Sequence, residues 1–199
     1  MAITNGYATL AEVKAALRIG DNLDDSLLEM AIESASRLLD SYTARSFYNA
    51  GTAVRYFEAT NDFLTNLDDA ITITQVATDT SADGTFDIIW QADDYQLEPL
   101  NGRVDGLVVP YNAIRAIGDY TFPIWGGEAL VKVTGVWGWS AVPIAIKQAT
   151  IIQSSRIFKR LDSPLGVLSS PDLGFIRVGA RIDPDVAQLV DPYRIVKFA

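Results

Sequence analysis

The chain has 199 residues, 49% of them hydrophobic and 21% charged, enough for one well-buried domain or for a compact domain carrying an inserted lobe, and too apolar for a disordered tail. It contains no cysteine and no histidine, which excludes disulfides, thiolate nucleophiles and Cys-ligated metals, and removes the usual neutral-pH base and the commonest metal ligand. The net charge of -9 is uneven: residues 1–53 carry -3, residues 54–143 carry -9 and residues 144–199 carry +3.

The opening "MAITNGYATLAEVK" has neither the basic start nor the apolar core of a secretory signal. No later apolar run approaches the roughly eighteen residues of a membrane span, so a soluble protein with no membrane partner is expected. "TLAE" (Thr9 to Glu12) reads as a capping box opening a helix whose stripe is Leu10, Val13 and Leu17, with Gly20 as its stop. Beyond the acidic turn "DNLDD", Leu27, Leu28, Ala31, Ile32, Ala35, Leu38, Leu39 and Tyr42 recur at three- and four-residue steps, predicting a longer antiparallel helix.

From about Val54 the period becomes two. "AVRYFEA", "AITITQVAT", "TFDIIW", "DYQLEP", "GLVVP" and "ALVKVTGVWGW" predict a β-lobe of about six strands, with a tight hairpin at Asp83-Gly84. The helical period returns after Pro143, where Ile144, Ala145, Ile151, Ile152 and Phe158 supply an apolar side and Lys159-Arg160 suit a helix C-terminus. Residues 161–182 read as a long loop or hairpin. A short helix then starts at Asp183-Pro184, followed by the tail "RIVKFA". The expectation is an α+β fold: an antiparallel helical layer from residues 1–53 and 143–199, with a mostly antiparallel β-lobe inserted at 54–142.

Catalytic and metal motifs are weak. "DTSADGTFDIIW" places Asp79, Ser81, Asp83 and Gly84 as in a calcium loop, but the twelfth position is Trp90 where a bidentate carboxylate is needed. "GWSAV" approximates a nucleophile elbow around Ser140, yet its last residue is valine and no histidine exists to activate the serine. Asp68, Asp69, Asp93, Asp94 and Glu98 offer no pair to prefer for glycosidase-like chemistry, and aspartate is common at turns in any case. No enzyme activity, metal or cofactor is expected. In "VTGVWGWSAVP", Trp137 and Trp139 have two readings: a stacking platform of a carbohydrate-binding or other β-rich binding module, or a structural seam. The seam reading, with Trp137, Gly138, Trp139 and Pro143 joining the last strand to the following helix, fits the direct run into an apolar helix better.

Two signatures and their order then become informative. The first is Leu10, Val13, Lys14 and Leu17, the acidic Asp24-Asp25, and a long helix ending at Tyr42, Thr43 and Arg45. The second is a strand with Gly135, Trp137 and Gly138 leading through Pro143 to Ile146, Lys147 and Ala149. Together they resemble the head-tail connector (adaptor, or head completion) proteins of long-tailed double-stranded DNA bacteriophages. The resemblance covers nearly the whole chain and departs from the family at the long loop 161–182.

That resemblance implies a structural virion protein, made in the host cytoplasm and placed at the head-tail interface. It implies a homo-oligomeric ring, expected as a dodecamer, beneath the portal protein, with a head completion or tail protein on its far face. DNA would pass through the channel without sequence-specific binding, and acidic walls would let the phosphate backbone slide. Tyr193, Arg194, Ile195, Val196, Lys197 and Phe198 are the candidate portal contact, apolar anchors interleaved with two cations. Another virion role, such as a tail terminator, is the nearest alternative.

Overall fold

The computed structural model describes residues 3–161, 167–170, 174–177 and 182–195. The fold is α+β and the chain divides into two compact units, Met1–Phe47 with Val142–Ala199, and Tyr48–Ala141.

The first unit is helical: α1 (Leu10–Leu17), α2 (Asp25–Thr43), α3 (Ile144–Leu161) and α4 (Pro184–Val190). Thr9 and Glu12 form the expected capping box. The Glu12 amide donates to Thr9 Oγ1 at 3.2 Å, and the Thr9 amide donates to Glu12 Oε2 at 2.8 Å, so two otherwise orphaned donors of the first turn are satisfied. The helix does not run to Gly20. Arg18 closes it in the left-handed conformation at φ 59°, its amide bonding back to Ala15. Val13, Leu28, Ile32 and Ala8 form the core at this end, with Leu10, Leu17, Ile151 and Phe158 packed around them.

Only part of the apolar stripe expected on α2 is buried. Leu28, Ala31, Ile32, Ala35 and Leu39 turn inward, whereas Leu27 and Leu38 are 41% and 36% exposed. The buried strip is completed by Ser36 and Thr43, whose hydroxyls donate to the carbonyls of Ile32 and Leu39 four residues back, so small polar residues serve as core without an unpaired group. α3 uses the same device. Its buried residues are Ile146, Ala149, Thr150 and Ser154, with Thr150 donating to Ile146 and Ser154 to Thr150, while Ile144 is 86% exposed. Hydroxyls that satisfy themselves within a helix leave a slim surface, and α3 packs chiefly against α2. Asp183 caps α4 by accepting the Asp185 amide, with Pro184 at the first position. Between α3 and α4 the backbone forms an antiparallel ribbon, Val167–Ser170 with Gly174–Arg177, within the stretch expected as loop or hairpin.

The second unit is β: β1 (Asn49–Phe57), β2 (Leu64–Thr78), β3 (Ile88–Trp90), β4 (Tyr95–Glu98), β5 (Arg103–Val104), β6 (Leu107–Val108), β7 (Tyr111–Ala116) and β8 (Val131–Gly138); the helical unit's ribbon supplies β9 and β10. A six-stranded sheet runs β1-β8-β2-β7-β4, with β3 added to β2, every pairing antiparallel. β8 shows why the period of two was legible: Val131, Val133, Gly135 and Trp137 are buried, and Lys132, Thr134 and Val136 alternate with them. The core gathers Val76, Trp90, Ile114, Phe122, Val131, Val133 and Trp137.

Three expectations for the lobe are corrected. β1 starts at Asn49, before the period of two becomes visible, because its first residues are small and exposed. Tyr111–Ala116 is a strand; its asparagine and arginine mask the alternation, and Pro110 before it suggested a break. Asp83-Gly84 is not a tight hairpin. β2 and β3 pair at Thr78 and Ile88, and residues 79–87 form a wide connection wound around one carboxylate: Asp79 Oδ2 accepts the Gly84 amide at 2.7 Å and Oδ1 the Ser81 amide at 3.1 Å. Burial alone would raise the Asp79 carboxyl, but the amides of Gly84 and Ser81 outweigh it and hold the group below the usual carboxylate range.

Candidate partner-contact sites

The Trp-Gly-Trp segment is interior to the β unit. Trp137 is fully buried. Its indole N–H donates to the Ala53 carbonyl at 2.8 Å, Phe57 lies 5.6 Å from its ring, and the Arg55 guanidinium sits 4.5 Å over its face. Trp139 is 4% exposed and donates its indole N–H to Asp69 Oδ2 at 2.8 Å. Gly138 between them has φ +95°, and a Cβ there would stand 2.0 Å from the Tyr48 carbonyl oxygen. The residue following it donates its amide to that same oxygen at 3.2 Å. Two indoles with buried faces and committed N–H groups leave nothing for a sugar ring to stack on. Pro143 lies at the head of α3, its carbonyl accepting the Lys147 amide at 3.0 Å.

Four of the five carboxylates considered as acid and base, Asp68, Asp69, Asp94 and Glu98, are taken up structurally. Asp68 pairs with Arg55 at 2.6 Å, Asp69 with Trp139, and Glu98 with Arg115 at 2.5 Å, while Asp94 accepts the Gln91 amide at 2.6 Å. Among the described residues there is no group of three or more acidic side chains able to hold a metal ion, and no helix long and apolar enough to cross a membrane.

The C-terminal candidates divide. Tyr193 is 7% exposed and meets Phe47 edge-on at 5.8 Å; burial pushes its phenol above the usual range. Its ring is therefore part of the helical unit's own core and not a free anchor for a partner. The Ile195 amide donates to the Thr43 carbonyl at 2.9 Å, so the backbone is tied to the end of α2 as far as that residue. Arg194 is exposed, its guanidinium 5.2 Å over the Tyr42 ring. Val196, Lys197 and Phe198 lie outside the described residues.

Beside Tyr193, a buried polar centre ties the segment before α1 to the C-terminal end of α2 and the residues that follow it. The Tyr7 hydroxyl donates to Asp40 and accepts the Phe47 amide at 2.8 Å, and Phe47 meets Tyr7 edge-on at 5.6 Å. Burial raises both the Tyr7 phenol and the Asp40 carboxyl; the Tyr7 hydroxyl and Arg37 pull the latter partway back.

Two exposed apolar groups were not singled out from the sequence. One lies on the outer side of α2, where Met30 is 53% exposed beside Leu27 and Leu38. The other is on the β unit, where Phe63, Ile124 and Trp125 are about half exposed. Trp125 stood in a stretch without periodicity, and only its place next to Gly126-Gly127 marked it as belonging to a turn.

Residues 7–82, which hold α1, α2, β1 and β2, match the family described as Phage gp6-like head-tail connector protein. The fold is similar over 100% of this chain and 95% of the other to a chain in the neck of an empty GTA particle computed with C6 symmetry, with a TM-score of 0.60 and 18% identity. It is also similar to a chain in the neck of a native GTA particle computed with C12 symmetry, covering 100% of this chain and 94% of that one, with a TM-score of 0.57 and 18% identity. No curated protein sequence matches. The first sequence signature, Leu10 to Arg45, lies within the residues that match the head-tail connector family, and the α+β fold as a whole is similar to that of chains in particle necks.

Proposed function

We propose that this chain is a structural head-tail connector that works as a ring at the neck of a virion. The observation that carries the reading is a coincidence of two independent likenesses: a connector family match over residues 7–82, and a full-length fold likeness to neck chains of particles with cyclic symmetry. A ring at the head-tail junction would extend the DNA exit channel beneath a portal protein and present its far face to a head completion or tail protein. It is assembled in the host cytoplasm and does no chemistry, which suits a chain with no histidine or cysteine and with Asp68, Asp69 and Glu98 already held by Arg55, Trp139 and Arg115.

The charge supports a passive channel. Residues 48–141 hold 13 carboxylates against 4 cations, a surface that repels the phosphate backbone, where a basic wall would release counterions and hold DNA in place. Segment 193–198 remains the portal contact in this reading, with one revision. Tyr193 stabilises the helical unit, so the contact rests on Arg194 and the residues after it. A variant that ends at Ile195 and carries Arg194→Ala keeps Tyr193 in the helical core and the Ile195 amide on the Thr43 carbonyl, and its portal binding in a pull-down should be lost while its thermal unfolding is little changed. Retained binding would remove the tail from the account.

A further inference from the structure

We propose that β1 (Asn49–Phe57) pairs edge to edge with β4 (Tyr95–Glu98) of a second copy of this chain, so that the β-sheets of neighbouring copies continue into one another. The inference rests on the ring reading, and it names the surfaces that join the copies.

Among the described residues β1 pairs with β8 alone, so the backbone groups on its other side, carried by alternate residues of a nine-residue strand with six residues exposed, have no strand partner; the Gly51 amide is taken by Asn49 Oδ1 and the Ala53 carbonyl by the Trp137 indole. Free edges of that length are normally blunted by proline, lysine, an inward charge or a bulge. β1 has no proline and no lysine, and its one irregularity lies at its start, between Asn49 and Gly51. Its single charge, Arg55, is drawn toward Asp68 and over the Trp137 ring. What remains along Thr52, Val54 and Tyr56, all exposed, is an edge that can accept another strand.

Charge favours a second copy at this place. Two β units of net charge -9 each repel one another over most of their surface, but β1 carries no carboxylate, and the one carboxylate of β4, Glu98, is neutralised by Arg115 at 2.5 Å. The strand order puts β1 and β4 at opposite ends of the same path. Pairing one with the other therefore uses two different surfaces and propagates head to tail, as a cyclic ring requires; β1 against β1 would stop at a dimer.

The absence of cysteine makes the test clean. Thr52→Cys and Gln96→Cys would be made singly and together, and sedimentation velocity, oxidative crosslinking and amide hydrogen exchange measured across a wide concentration range. The proposal expects exchange in residues 49–57 to slow at least about tenfold when the oligomer forms, and the oxidised double variant to give a ladder beyond dimer where each single variant stops at dimer. Hydrogen exchange does not depend on the engineered pair being in register. An oligomer in which residues 49–57 exchange as fast as in the dilute monomer overturns the edge pairing and leaves the ring standing. A chain that stays monomeric at every concentration, with the portal of its particle present as well as without it, overturns the edge pairing as a contact between copies and counts against the ring itself.

Discussion

Gly138 lies so close to the backbone of Tyr48 that a Cβ on it would fall 2.0 Å from the Tyr48 carbonyl oxygen, and its φ of +95° is one that a side chain resists in open space as well. Backbone, not a flexible side chain, blocks the site, so the neighbour cannot yield. Gly138→Ala is expected to destabilise the protein by about 3 kcal/mol or more, from strain and steric displacement together. Gly51→Ala is the control: φ is +79° there, but nothing lies within 4 Å, so only the strain of about 1 kcal/mol is expected. Urea denaturation of the two variants separates these costs.

Tyr7→Phe removes a hydroxyl that donates to Asp40 and accepts the Phe47 amide. The amide is left buried without a partner, at a cost of about 1–3 kcal/mol. The phenol also shapes the alkaline limb. Its folded-state pKa is raised above the ordinary 10.0, so its contribution is full below pH 10 and is lost as pH rises further toward the folded value. Thermal melts from pH 8 to 11 should fall less steeply for Tyr7→Phe than for the parent, from a lower starting point.

Glu12 acts with the opposite sign. The Thr9 amide and the Lys147 ammonium, 2.9 Å away, draw its carboxyl down to about 2 from the ordinary 4.5. Its contribution is present above pH 4.5 and is lost as pH falls toward 2. Glu12→Gln should flatten that part of the stability profile and leave the alkaline limb unchanged, as read by circular dichroism.

Much of this was legible in the sequence because the signals were local. A capping box needs only Thr9 and Glu12 at the right spacing, and the alternation of β8 needs only its own eight residues. The failures came where a distant partner decides. Leu27 and Leu38 carry the same periodic signal as Leu28 and Leu39, and the packing of α1 and α3 against α2 determines which pair is buried. Asp79 winds residues 79–87 around itself, so the Asp-Gly pair that signals a tight hairpin sits inside a wider loop. In the tail, Tyr193 had the composition of a contact residue, and the aromatic partner that buries it, Phe47, is far away in the chain.

Assembly should also respond to salt. Copies of a chain with net charge -9 approach through surfaces poor in carboxylate while the rest repel, so raising the salt from about 0.02 to about 0.2 M, which shortens the screening length to under 10 Å, should strengthen association. Binding driven by opposite charges would weaken instead, and light scattering across a salt series distinguishes the two.

The central claim is that this chain is a ring-forming structural connector, and sedimentation velocity of the purified protein, over a wide concentration range and with the portal of its particle, tests it most directly. The account predicts a closed oligomer of defined size, either alone or nucleated on the portal. A monomer at every concentration that is indifferent to the portal would contradict it.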